Sequence, residues 1–261
     1  MKLTANLSLL YTEMHLSDRF AAAAADGFTA VEIQFPYELP AEVIRTQLNK
    51  HSLRCILINV PAGDLMTGGR GLACVPGKEA EFAAAVEQAA EYARLLKPEC
   101  INVLAGRTGD DQPEECLQVL RNNLRQAADV LNPLGVTVTV EAINTFDMPG
   151  FLISDFQSMH ALVSEFDPDS VRMQFDIYHM ARMAEPVEQL IKEYGQKIGH
   201  IQFADVPGRH EPGTGDLDFL ALFRAIRSSG YAGWSGAEYR PQGKSTSEGL
   251  AWMRALQKRS N

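Results

Sequence analysis

The segments Val136–Asn144, "VTVTVEAIN", and Val171–Met180, "VRMQFDIYHM", each begin as an apolar run and each stop at a carboxylate, Glu141 and Asp176. Between them residues 154–166, "SDFQSMHALVSEF", carry a helical pattern. Strand, helix and strand in that order form one parallel βαβ unit. The same unit repeats in both directions along the chain. Short β-rich runs lie at 4–9 (TANLSL), 30–35 (AVEIQF), 53–60 (LRCILINV), 100–105 (CINVLA), 198–204 (IGHIQFA) and 234–239 (WSGAEY). Helical patterns cover 15–27, 40–50, 78–96, 114–132, 154–166, 185–195, 217–229 and 245–257. Eight alternating pairs within 261 residues predict an α/β fold in which a parallel sheet closes into a (β/α)8 TIM barrel. An open doubly wound sheet is the alternative. Its dinucleotide-binding form would need G-x-G-x-x-G after the first strand, where the chain reads "NLSLLYTEM".

Nothing in the sequence marks a linker or low-complexity tract, so residues 1–261 are expected to form a single barrel domain. Hydrophobic residues are 46% and charged residues 22%, ordinary for a globular protein. The net charge of −9 argues against nucleic acid or anionic membrane as a partner, and leaves room for a local positive pocket. No apolar run reaches the roughly 20 residues that span a bilayer, and the N-terminus, cut by Asn6, Ser8, Thr12 and Glu13, makes a poor signal peptide. Cys55, Cys74, Cys100 and Cys116 form no C-x-x-C pair. Free thiols in a reducing cytoplasm are expected.

In a TIM barrel the active site is built where strands end at their C-terminal face. Strands five to eight end at or near Glu141, Asp176, Gln202 and Glu238, each about one βα unit from the next. Any one strand-end acid is commonly a helix cap or an arginine's partner. Three converging on one dry mouth would repel strongly unless protons or a cation intervene. Three carboxylates and an amide carbonyl form a hard oxygen set suited to Mg²⁺ or Mn²⁺ rather than zinc, with coordination positions left for water or substrate. His179, one turn beyond Asp176, is placed to hydrogen-bond a substrate oxygen or to orient a glutamate; otherwise it holds a loop carbonyl. His200 precedes Gln202 by two residues and so shares its face, as a supporting partner or as a structural histidine. Arg209, in "GRHEPGTGD" (208–216), is a candidate grip for a substrate carboxylate, or a partner of a rim acid. Arg70 sits in the long glycine-rich segment 61–79, which reads as a lid or a plain surface excursion.

The segments "ANLSLL", "FPYE", "PAGD…RGLACVPGKE", "FDIYHMARM", "HIQFAD", "GRHEPGTGD" and "GWSGAEYRP" resemble the hydroxypyruvate isomerase family of the xylose isomerase-like barrel superfamily. The resemblance runs nearly end to end. It implies a divalent metal, Mg²⁺ or Mn²⁺, held by Glu141, Asp176, Gln202 and Glu238, with Glu141 and Glu238 as the acid/base pair. The implied partner is a small 2-oxo acid, hydroxypyruvate, converted to tartronate semialdehyde; a homo-oligomer is compatible with everything above. Related sugar epimerases carry a histidine where Gln202 stands. A sister group isomerises 2-oxo-tetronates and is expected to differ around "RGLAC" and "INTFDMPGF". A metal-dependent phosphodiesterase on the same barrel would gather several histidines and a basic groove, against six histidines and an acidic balance here. A non-catalytic sugar-acid binder would have no need of paired glutamates.

Overall fold

A computed structural model describes residues 1–258. Eight strands, β1 (Lys2–Asn6), β2 (Ala30–Ile33), β3 (Arg54–Asn59), β4 (Cys100–Val103), β5 (Thr137–Glu141), β6 (Val171–Asp176), β7 (Ile198–Phe203) and β8 (Trp234–Ala237), pair in parallel in chain order. The last returns to the first, so the barrel is closed. Around it run α1 (Leu16–Ala25), α2 (Ala41–Lys50), α3 (Glu79–Leu96), α4 (Pro113–Leu131), α5 (Phe156–Val163), α6 (Ile177–Arg182), α7 (Val187–Tyr194), α8 (Phe219–Ser228) and α9 (Ala251–Lys258). The alternation read from the sequence is therefore the architecture.

Two differences are local. The single-turn helix α6 follows β6 without a loop, because Asp176 caps it by accepting the Tyr178 amide (2.8 Å). Six residues are too few to show a helical period, so the segment reads as a strand running into a turn. The last helical pattern, 245–257, divides into a 3-10 turn at Ser247–Gly249 and α9.

Period two decides what faces where. On β5, Val138 and Val140 join the apolar core, while Thr139 and Glu141 hydrogen-bond within the barrel. On β7, Ile201 and Phe203 join that core, and His200 and Gln202 turn inward. The helices close over the outer face with spaced apolar residues, on α3 Phe82, Val86, Ala89, Ala93 and Leu96. A separate apolar cluster, Ala30, Ile56 and Trp234, lies at the N-terminal end of the barrel interior. Above it the interior is polar, with Thr4, Asn6, Glu32, Asn102, Thr139, Gln174, His200 and Gln202 all buried. A barrel interior is more often filled with Val, Ile and Leu, so this polarity is a first sign of where the chemistry sits. All four cysteines are free and buried, and among the described residues no helix is long and apolar enough to cross a membrane.

Candidate active site

Strand tilt sets the height of each side chain. In the register Glu141 pairs with Gln174, Asp176 with Gln202, and Gln202 with Gly236. Asp176 and Glu238 each stand two residues above those levels. In a tilted eight-stranded barrel, equal height means climbing about one residue per strand. The climb from β5 to β8 thus brings Glu141, Asp176, Gln202 and Glu238 to one mouth. A register shift between Met173 and Gln174 adjusts β6 against β7 at this point.

The four are buried, each no more than 5% exposed, and a chain of amides joins Glu141, Gln202 and Glu238. Thr139 Oγ1 donates to Gln174 Oε1 (3.0 Å); Gln174 Nε2 donates to Glu141 Oε2 (3.2 Å) and Gln202 Oε1 (2.7 Å); Gln202 Nε2 donates to Glu238 Oε1 (3.2 Å). Asn102 Nδ2 donates to Glu141 Oε2 (3.0 Å), and Asn6 Nδ2 and Gln34 Nε2 donate to Glu238 Oε1 (2.8 and 2.7 Å). Asn6, Gln34, Asn102 and Gln174 were not singled out in the sequence. The signal was available, since asking what ends strands one to four returns Asn6, Gln34, Asn59 and Asn102. The barrel mouth has an amide half facing an acid half.

Arg209 enters from the loop after β7 with left-handed backbone (φ +57°). Asp205 organises that loop by accepting the amides of Val206, Gly213, Gly215 and Leu217 (2.9–3.1 Å). The Arg209 guanidinium donates to Glu238 Oε2 (2.8 Å), lies 3.7 Å from Asp176 Oδ2, and stacks on Tyr178 at 4.9 Å. Its Nε is buried without a hydrogen-bond partner among the described residues. Both readings of Arg209 are therefore present in one side chain: it pairs with a rim acid and retains a free donor.

His179 Nε2 lies 3.5 Å from Asp176 Oδ2 and 3.8 Å from Glu141 Oε1. Ligand atoms of Glu141, Asp176 and His179 fall within 4.8 Å of one another, a spacing able to hold a metal ion. The network around Asn144 bears on this. Asn144 Oδ1 accepts the amides of Phe146 and Asp147 (3.1 and 2.9 Å), which fixes the amide's orientation. Its Nδ2 must then donate to His179 Nδ1 (2.6 Å), toward which the Asn144 backbone N–H also points (3.4 Å). Nδ1 is an acceptor, so the proton of the neutral ring is on Nε2. Burial, then the Arg209 charge, hold the ring's pKa well below its ordinary value. An Nε2–H facing the site donates to an oxygen and offers no lone pair to a metal. Asn144→Asp would accept from Nδ1–H instead and move the proton. Long-range ¹H–¹⁵N spectra should show His179 changing tautomer, and an unchanged pattern would refute the assignment.

Arg70 is not brought to this mouth. Its Nη2 donates to the Thr108 carbonyl (2.5 Å) and Asp111 (2.6 Å), bracing the 61–78 segment against the loop after β4. Arg107 adds a bond back to the Gly69 carbonyl (2.8 Å). The expectation that Arg70 binds substrate gains nothing from this placement, in which Nε and Nη2 are engaged by the Arg107 and Thr108 carbonyls and by Asp111. The segment reaches the site through Met66, which lines the cavity.

That cavity is small, about 80 Å³, and Glu141, Gln174, His179, Arg209 and Glu238 line it with Phe35, Leu104 and Ile143. It shares Gln34 and Phe35 with a groove of about 820 Å³ over Ser8, His15 and Arg19.

The electrostatics are unbalanced. Three buried carboxylates face one guanidinium. Burial, then Glu238, push Asp176 up to about 8. Burial, then Glu238 and Asp176, push Glu141 well above the carboxylate range. Burial alone would lower Arg209, but Glu238 and Asp176 outweigh it and raise it. Asp176 Oδ2 is buried with no hydrogen-bond partner among the described residues, while Oδ1 caps α6. Two carboxyls forced toward neutrality and one orphaned oxygen are what a missing divalent charge would produce. The residues fit a hard cation, with Glu141, Asp176, Gln202 and Glu238 supplying oxygen atoms.

A stability signature follows. Asp176 and Glu141 keep protons in the folded chain at pH values where the unfolded chain has released them. Without a cation, stability should therefore fall as pH rises from about 4 to about 8. His179 acts oppositely, and its share of stability is lost as pH falls below about 6.5. The melting temperature of the chelated protein should decline from about pH 6.5 to about 8.5, and saturating Mn²⁺ should remove the slope. A flat profile without the ion would contradict the account.

The sequence profile of the xylose isomerase-like TIM barrel family matches residues 20–256. The chain is 41% identical over 254 residues to hydroxypyruvate isomerase of Escherichia coli (strain K12), covering 97% of this chain and 98% of that protein. It is 42% identical over 254 residues to 2-oxo-tetronate isomerase of Cupriavidus necator, covering 97% of both. A Brucella melitensis crystal structure described as an AP endonuclease, family 2, matches with a TM-score of 0.94 at 39% identity, over 98% of this chain and 99% of that one.

Proposed function

The chain belongs to the xylose isomerase-like TIM barrel family, among its hydroxypyruvate and 2-oxo-tetronate isomerases, and from this premise we propose that it is a divalent-metal isomerase interconverting hydroxypyruvate and tartronate semialdehyde. The observation that carries the reading is the charge imbalance at the mouth. Asp176 and Glu141 are pushed toward their neutral forms and Asp176 Oδ2 is orphaned, beside a cavity lined by Glu141 and Glu238.

Glu141, Asp176, Gln202 and Glu238 would hold Mg²⁺ or Mn²⁺. The bound ion would serve as a Lewis acid, stabilising negative charge on oxygens next to the carbon that loses its proton. Glu141 and Glu238 stand three strands apart, so they flank a substrate from two sides. One would remove the C3 proton of hydroxypyruvate and the other would return a proton at C2, while the C3 hydroxyl proton passes to the C2 oxygen, so that the enediol closes to tartronate semialdehyde. Arg209 has a free Nε to meet the substrate carboxylate. His179 donates its Nε2–H to a substrate oxygen, stabilising charge as it develops. Asn6, Gln34, Asn102 and Gln174 fix both glutamates and hold their geometry through the reaction.

A second reading, 2-oxo-tetronate as the substrate, has a specific basis, since identity to that isomerase is 42% against 41%. The three-carbon acid is preferred because "RGLAC" and "INTFDMPGF" resemble the hydroxypyruvate members of the family. The phosphodiesterase reading is not favoured, as the mouth offers carboxylates and amides with one histidine whose Nε2 is protonated. The test is kcat/KM on hydroxypyruvate against 2-oxo-tetronate with Mn²⁺ present, tartronate semialdehyde being read by a coupled reductase. Preference for the three-carbon acid is expected, and equal or better turnover of the tetronate would overturn the substrate assignment.

A further inference from the structure

Beneath the site the barrel holds a second pair of ionisable groups that the chemistry above does not use. Glu32 on β2 and His200 on β7 are both 0% exposed, and His200 Nε2 lies 2.7 Å from Glu32 Oε2. A buried pair of this kind is poor value for stability, since apolar residues of like volume often do as well or better. Glu32 Oε1 is buried and lacks a hydrogen-bond partner within reach among the described residues. Leaving such an oxygen bare costs the desolvation of that group without a compensating bond, so its position needs a reason.

The position is defined by the neighbouring strand. A Cβ on Gly236 would fall 2.0 Å from Glu32 Oε1. Gly236 is the register partner of Gln202. The absence of a side chain on β8 therefore leaves room for the unpartnered Glu32 Oε1 at the level of Gln202 in the barrel. Gln202 also follows His200 by two residues, on the same inward face. Its Nε2 has two hydrogens and spends one on a long bond to Glu238 (3.2 Å), while Oε1 accepts one bond from Gln174 and keeps a second lone pair.

Resting on the metal-isomerase reading above, we propose that Glu32, pinned by His200 and admitted by Gly236, is a positioning residue that holds the Gln202 amide nitrogen from below so that its oxygen, rather than its nitrogen, is presented to the cation. An amide can present either end with little change in shape. With Oε2 engaged by His200, Glu32 Oε1 is left as an acceptor, so Glu32 selects the nitrogen for its own side. The nearby Gln174 donor selects the oxygen edge in the same sense.

The test is Mn²⁺ binding by titration calorimetry on chelated protein, with thermal melting alongside. Glu32→Met/His200→Leu removes the pair at similar volume. Melting should stay within a few degrees of wild type, and Mn²⁺ affinity should fall about 10–100-fold. In a Gln202→Ala background the same double change should cost less than about threefold, because its effect passes through Gln202. Unchanged affinity in the folded double variant overturns the proposal, as does an equal loss with Gln202 removed, which would place the effect elsewhere. Should the double variant not fold, Glu32→Asp decides. It keeps the charge and the His200 partner but withdraws the oxygen from Gln202, and weaker Mn²⁺ binding is expected; wild-type affinity would refute the role. If the wild-type chain itself takes up no Mn²⁺, the metal reading falls, an outcome distinct from all of these.

Discussion

Glu141→Gln and Glu238→Gln are each expected to lower kcat on hydroxypyruvate by about 10²–10⁴-fold while the barrel stays folded. The amide keeps the volume of the carboxylate and many of its hydrogen bonds, but cannot take or return a proton. The two variants should differ in a second respect. Glu238 is held by Asn6, Gln34, Gln202 and Arg209, so replacing it leaves Arg209 without its closest carboxylate and should raise KM as well. Glu141 is held by Asn102 and Gln174, and its replacement should act mainly on kcat. Circular dichroism and steady-state kinetics on hydroxypyruvate check both. Near-normal turnover of either variant removes that glutamate from the acid/base pair.

Removing the divalent ion is expected to have an effect of similar size. Stabilising the charge that develops on substrate oxygen is worth several kcal/mol, so the chelated enzyme should lose at least about two orders of magnitude in kcat. Mn²⁺ or Mg²⁺ should restore it. The loss should be reversible and should leave far-ultraviolet dichroism unchanged, because the core packs through the helices outside the barrel and not through the ion. Full activity after exhaustive chelation, with metal content verified by elemental analysis, would exclude the metal-dependent route.

The barrel was legible because its signal is long-range and repeated. Apolar runs such as Thr137–Glu141 and Val171–Asp176 recur with helices between them, and closure follows from counting. The acid half of the mouth was legible for a chemical reason, since a carboxylate ending an apolar strand stands out against its neighbours. The amide half was not, although Asn6 and Asn102 occupy equivalent strand ends. A single amide carries no charge anomaly and is common at strand ends. Glu32 was hidden within "AVEI", where only its partner His200, distant in sequence, explains it. The partners of Arg70 were not legible, because a glycine-rich loop with an arginine looks alike whether the guanidinium meets a substrate or a backbone carbonyl. The tautomer of His179 depends on Asn144, whose orientation is set by two loop amides that no spacing rule reveals.

The most direct test of the central claim is the anomalous difference map of a crystal grown with Mn²⁺. One strong peak per chain is expected, bounded by oxygen atoms of Glu141, Asp176, Gln202 and Glu238, with His179 Nε2 outside bonding distance. A peak ligated by His179 with Gln202 and Glu238 turned away, or no peak in crystals of active enzyme, would contradict it.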